Sequence, residues 1–132
     1  MGIAQNNQCG LCKNLEETLF HLFTECNVTN NLWASLVNEI NTKCNLTINL
    51  DKLTKLFGYQ NNTSFADALN TMFIIFRYYV FVKSKTQSTL FISEYKKLLK
   101  RVYTEQELLS KLNNKNELFN KKWIKMLHFI DL

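Results

Sequence analysis

The chain is 132 residues long, carries a formal net charge of +5 and is 46% hydrophobic, which suits one folded domain with a core and excludes a disordered protein. Its longest apolar run, Met72 to Val82, is 11 residues and contains Arg77, well short of the about 20 that a bilayer requires. With no proline and three glycines to interrupt helices, a soluble, intracellular, all-α protein is expected.

Cys9, Cys12, His21 and Cys26 take three of the four cysteines and have the spacing of a tetrahedral zinc site. Three thiolates and one imidazole close the shell, leaving no position for a reactive water, so one structural Zn²⁺ is expected. Cys9 to Cys12 reads as a knuckle, with Gly10 turning the backbone at φ > 0. Asn14 and Glu17 have capping-box spacing ahead of a short helix carrying Leu19, Phe20, Leu22 and Phe23. Residues five apart on an α-helix lie roughly 140° apart, so Cys26 can share the ion with His21 only if that helix ends near it. Asn27 is the expected stop. A redox cysteine pair leaves His21 and Cys26 unexplained, and disulfides lack support because Met1 to Gln8 is polar, short and unlike a signal peptide.

Downstream, Leu32, Trp33, Leu36, Val37 and Ile40 predict a helix from about Asn30 to Asn41, with Trp33 beside the metal. Leu46 to Leu50 alternates and is read as extended; Asp51 caps a short helix that ends near Phe57 and Gly58. Phe65 to Lys83 mixes aromatic and β-branched residues, and its length decides for a helix whose Phe73, Phe76 and Tyr79 to Phe81 form core. Leu90 to Tyr103 is amphipathic: Phe91, Tyr95, Leu98, Leu99 and Val102 share one arc, and Lys96, Lys97, Lys100 and Arg101 form the opposite stripe. Thr104 and Glu107 predict a capping box for a separate helix to about Leu112. Asn114 to Ile130 reads as a final helix with Phe119, Trp123, Met126 and Leu127 inward and Lys121, Lys122 and Lys125 outward.

Charge follows this division. Lys83 to Lys125 holds eleven Lys or Arg against four Glu, whereas residues 1–82 hold five basic and six acidic groups. Three thiolates and a divalent ion add about −1 to the N-terminal part. Two cationic helix faces suit phosphate binding without base specificity. No glycine-rich phosphate loop, His-Glu-x-x-His, nucleophile elbow or close aspartate pair is present, so no catalytic residue is expected. Cys44 reads as a buried thiol with an outside chance of exchange into the metal shell, and His128 as a surface or packing residue.

Cys9, Cys12, the Glu17–Thr18–x–x–His21 run closing on Cys26, and Trp33 seven residues later together resemble the zinc-binding segment that follows the polymerase in non-LTR, LINE-type retrotransposon reverse transcriptases. Leu53 to Tyr59, Met72 to Phe76, the Tyr95 segment and Trp123 to Met126 are similar in order, more loosely, to the C-terminal region of vertebrate-type second-open-reading-frame proteins. The resemblance implies a non-catalytic accessory domain that holds element RNA or target DNA during target-primed reverse transcription, beside a reverse transcriptase core. It also implies a ribonucleoprotein location in cytoplasm and nucleus, and a chain that is a C-terminal piece or a separately encoded relative. The expected organisation is a tail at 1–8, a zinc-binding unit with its following helix at 9–44, and a helical C-terminal domain with a basic surface at 45–132. Lys96, Lys97, Lys100, Arg101, Lys121, Lys122 and Lys125 are the candidate nucleic-acid contacts, with no membrane or small-molecule partner. The competing reading is a protein-docking module seated on the polymerase or a host factor, whose lysines serve solubility.

Overall fold

A computed structural model describes residues 8–13 and 16–130. Among them α1 spans Asn27–Cys44, α2 Lys52–Phe57, α3 Ala66–Lys85, α4 Ile92–Leu112, α5 Asn116–Trp123 and α6 Leu127–Ile130. A π-turn at His21–Glu25 precedes α1, and a 3-10 turn at Ile124–Met126 joins α5 to α6. The β-pairing among the described residues is a single antiparallel bridge between Gln8 and Glu16. The protein is therefore all-α, a small Cys₃His cluster followed by a helical bundle.

The core is built where three apolar helix faces meet. Trp33 of α1 stands edge-on to Phe73 (ring centroids 5.2 Å apart) and packs on Phe76 at 4.0 Å, and Phe76 meets Tyr95 of α4 at 5.5 Å. Burying such rings supplies most of the driving force. Tyr95 carries a hydroxyl into this apolar centre and satisfies it by donating to the Met72 carbonyl at 2.8 Å. Cys9, Leu22, Phe23 and Cys26 belong to the same buried cluster, so packing runs without a gap from the cysteine segment into the helices.

Local chemistry sets the helix ends. Cys26 leaves helical geometry (φ −64°, ψ 121°) and Asn27 opens α1, so the expected stop is instead the first residue of the next helix. At its far end Asn45 sits at φ 55° and the Leu46 N–H donates to the Asn41 carbonyl, closing the last turn. Leu46 to Leu50 forms no strand; the Asn41 side chain pairs with both backbone groups of Ile48 in place of a neighbouring strand. Asp51 caps α2 by accepting the Thr54 N–H at 2.8 Å, and Gly58 ends it at φ 103°, both as expected.

Two helix boundaries and the outward turn of two side chains differ from expectation further along the chain. α4 runs unbroken through Thr104, whose hydroxyl donates back to the Lys100 carbonyl at 2.9 Å instead of capping a new helix. α5 braces that stretch, with Tyr103 against Phe119 at 5.0 Å and against Trp123 at 5.3 Å. The final helix is interrupted by the 3-10 turn, whose tighter winding rotates α6 relative to α5; Leu127 is 39% exposed, and Phe129 and Ile130 fill the core instead. Phe81 likewise turns outward from the α3 stripe, leaving Phe73, Phe76, Tyr79 and Val80 buried.

Candidate metal centre and basic faces

The knuckle closes by an α-turn in which the Lys13 N–H donates to the Cys9 carbonyl at 3.0 Å. Lys13, at φ 64°, supplies the left-handed residue; the positive φ expected at Gly10 is absent. Gly10 is needed for a different reason: a Cβ there would lie 1.9 Å from the Ser84 carbonyl oxygen. Burial pushes the Cys9 thiol up to about 11, against the Cys12 and Leu11 N–H groups, which face its sulfur and pull the pKa down. A cation is what this buried thiol needs in order to ionise.

Across from the knuckle, Thr18 caps the helical turn, its hydroxyl accepting the His21 N–H at 3.0 Å. The capping box drawn between Asn14 and Glu17 lies partly outside the described residues, and Glu17 itself is spent elsewhere. His21–Glu25 then winds as a π-turn, with the Cys26 N–H reaching the His21 carbonyl at 2.7 Å. That i to i+5 closure carries one extra residue per turn and swings Cys26 back towards His21, the physical answer to the wheel angle that an α-helix would impose. The Asn30 amide donates to the Thr24 carbonyl at 3.2 Å and the Trp33 indole to the Phe23 carbonyl at 3.0 Å, satisfying the carbonyls that the π-turn leaves open.

The resulting ligand atoms of Cys9, Cys12, His21 and Cys26 all lie within 4.8 Å of one another. The Cys9 and Cys26 sulfurs are 3.9 Å apart, and the Cys12 sulfur is 3.2 Å from His21 Nε2. Metal–ligand bonds of about 2.3 Å and 2.0 Å in a tetrahedron put such atoms about 3.5–3.8 Å apart, a spacing that these two pairs bracket, so the donor set suits one zinc ion after small side-chain shifts. The other imidazole nitrogen, Nδ1, is buried without a hydrogen bond and faces the Glu25 carboxylate at 3.7 Å. A histidine bound through Nε2 carries its proton on that nitrogen, and a carboxylate on that side orients the ring. Four protein ligands saturate the ion, which fixes structure and offers no place for substrate. Cys44 stays outside the cluster, half-buried, its thiol pushed up by burial against the opposing Phe129 N–H.

The expected cationic residues separate into two groups. Lys97, Lys100 and Arg101 are exposed on the outer face of α4, and Lys121 and Lys125 are exposed near the chain's end. Lys96 instead bonds Glu39, which also holds Lys43 at 2.9 Å, and it lies over the Phe129 ring at 5.5 Å. Lys122 lies over the Trp123 ring at 5.3 Å, where burial lowers its pKa and Asp67 pulls the other way. Sequence spacing placed both on polar faces but could not show Glu39 and Phe129 beside the one or Asp67 near the other, which come from distant elements. His128 is exposed, and no described helix is long and apolar enough to cross a membrane.

A family model described as zinc-binding in reverse transcriptase matches residues 1–33, a span that holds all four metal-site residues and closes on Trp33. No curated protein and no solved structure gives a significant match. The first quarter of the chain is thus similar to a zinc-binding region associated with reverse transcriptases, which is not their catalytic domain.

Proposed function

We propose that this chain is a non-catalytic, zinc-stabilised nucleic-acid-binding domain of a non-LTR retrotransposon reverse transcriptase. It holds element RNA or target DNA during target-primed reverse transcription, within an intracellular ribonucleoprotein that reaches the nucleus. The observation that carries this reading is the α4 face: Lys97, Lys100 and Arg101 are exposed and have no ion-pair partner among the described residues, whereas Lys43, Lys83, Lys85 and Lys96 are all paired with carboxylates. Exposed cations without a close carboxylate release counterions when they meet phosphates, and the affinity gained is insensitive to sequence. Lys121 and Lys125 extend the same chemistry. The family match supports the setting, the metal site supplies a fixed N-terminal unit, and the polymerase core is the expected neighbour.

Labelled structured RNA titrated with the protein at several salt concentrations tests the reading. Binding should weaken steeply with salt, and Lys97→Glu with Arg101→Glu should flatten the log–log slope by about one unit per lost phosphate contact. Unchanged affinity and slope would remove α4 as the binding face. A protein-docking role has one observation of its own. Leu108, Leu109, Leu112 and Leu118 at the α4–α5 tip are each more than half exposed, and a cluster of large apolar side chains in water marks contact with another protein.

A further inference from the structure

The cysteine knuckle touches α3 at a place that metal binding does not require. The Gly10 N–H donates to Glu17 Oε1 at 3.1 Å, and the same oxygen accepts the Ser84 hydroxyl. The other carboxylate oxygen takes the Lys85 ammonium at 2.6 Å. Beside this junction the Lys13 ammonium donates to the Gln87 amide oxygen at 2.8 Å. Glu17 is 13% exposed, and its partners stand at the C-terminal end of α3, 67 and 68 residues away in sequence. A carboxylate at that end of a helix opposes the macrodipole, so its position there needs the partners that hold it. Gly10 reaches so near the Ser84 carbonyl that no larger residue fits between them.

We propose that Glu17 is a positioning residue that couples metal occupancy to the corner between α3 and α4. Glu17 lies between the two halves of the metal site, the knuckle at Cys9 and Cys12 and the turn that carries His21. An ion drawing those halves together fixes the knuckle and the turn on either side of Glu17, and with them the carboxylate. The carboxylate then holds Ser84 and Lys85, the last turn before the bend from which α4 and its lysine face depart. The bend itself is tight: Gln87 sits at φ 51°, with the Ser88 N–H on the Lys83 carbonyl at 2.9 Å. This coupling requires only the metal site and α3, and it stands whether or not α4 binds nucleic acid.

Amide exchange of residues 84–90, measured with and without zinc in the full chain, tests the coupling. In the wild type zinc should slow exchange there by about tenfold or more, as expected when a local opening is closed. Glu17→Ala should keep the cobalt-substituted spectrum of a Cys₃His site but lose the zinc effect at 84–90. Gly10→Ala, which attacks the contact from the knuckle side, should do the same. A zinc effect equal in wild type and both variants, or absent from the wild type, overturns the coupling. Loss of the cobalt spectrum in both variants would place Glu17 in the metal site itself and overturn it equally.

Discussion

The cysteine segment and the helical body are held by different physics, although one buried cluster joins them. In the body, long helices bury whole faces: Trp33 of α1 meets Phe73 and Phe76 of α3, Phe76 meets Tyr95 of α4, and Leu36 and Ile40 of α1 are buried as fully as these rings. Among the described residues before α1, a five-residue π-turn is the only regular helix beyond a single turn, and Leu19 and Phe20 are 57% and 43% exposed. A helix so short is not stable in water by itself. Zinc substitutes for apolar area where the chain has too little to bury.

Removing the metal should break this comparison most visibly. Structural zinc binding is worth on the order of 10 kcal/mol in isolated fingers, and Cys12→Ala or a strong chelator should strip exchange protection from residues 9–26. Protection in α1 should persist, because Trp33 is anchored on Phe73 and Phe76 and not by the ion. This would put the edge of the metal-dependent segment before α1 near Cys26, inside the expected 9–44 unit, apart from the α3–α4 corner to which Glu17 links it. Uniform loss of protection across all helices would show instead one cooperative structure.

Trp33→Ala attacks the body. It should cost about 3–5 kcal/mol in denaturant unfolding of the zinc-loaded chain, from the cavity left against two aromatic rings, and it also removes the indole donor to the Phe23 carbonyl. A cost below about 1 kcal/mol would mean that the aromatic centre is not where stability lies.

Glu39 gives a smaller, pH-dependent effect. Burial raises its pKa, but the Lys96 and Lys43 ammonium groups outweigh that and hold it below the usual carboxylate range. A depressed folded-state pKa stabilises above the unfolded value, about 4.3, and that stability is lost as pH falls through the folded pKa. Glu39→Gln should therefore cost about 1–2 kcal/mol near neutral pH, with the gap to wild type closing below about pH 4. Comparing two chains with the same ligands cancels the acid release of zinc. A gap that stays constant down to about pH 3 would contradict the pairing.

The smallest effect is expected at Thr104. Its hydroxyl bonds back along a continuous α4 and caps nothing, so Thr104→Ala should change stability by no more than about 0.5 kcal/mol, in either direction. A loss of about 1 kcal/mol in thermal unfolding would restore the capping box and a break in the helix.

These differences also mark what a sequence can disclose. The metal residues were legible because cysteine and histidine spacing reports chemistry directly, and α2 was legible because Asp51 and Gly58 act on their own neighbours. The role of Gly10 was not, since the carbonyl that excludes a side chain belongs to Ser84 in another helix. Glu17 has helix-start spacing, yet its carboxylate is taken by distant Ser84 and Lys85, while Thr18 does the capping. Lys96 and Lys122 shared a polar arc with Lys97 and Lys121, and only packing revealed Glu39 beside the one and Asp67 near the other. Helical period tells which way a side chain faces and is silent about what another element brings there.

RNA affinity measured side by side for three samples bears most directly on the division of labour between metal and lysines. These are the zinc-loaded wild type, the zinc-stripped wild type, and zinc-loaded chain carrying Lys97→Glu and Arg101→Glu. The charge-reversed chain, fully loaded with zinc, should lose about tenfold or more in affinity, as two lost phosphate contacts allow at roughly physiological salt, while the stripped wild type should lose less. A charge-reversed chain that binds as wild type does, beside a stripped chain that does not bind, would make the zinc unit itself the contact and contradict the account.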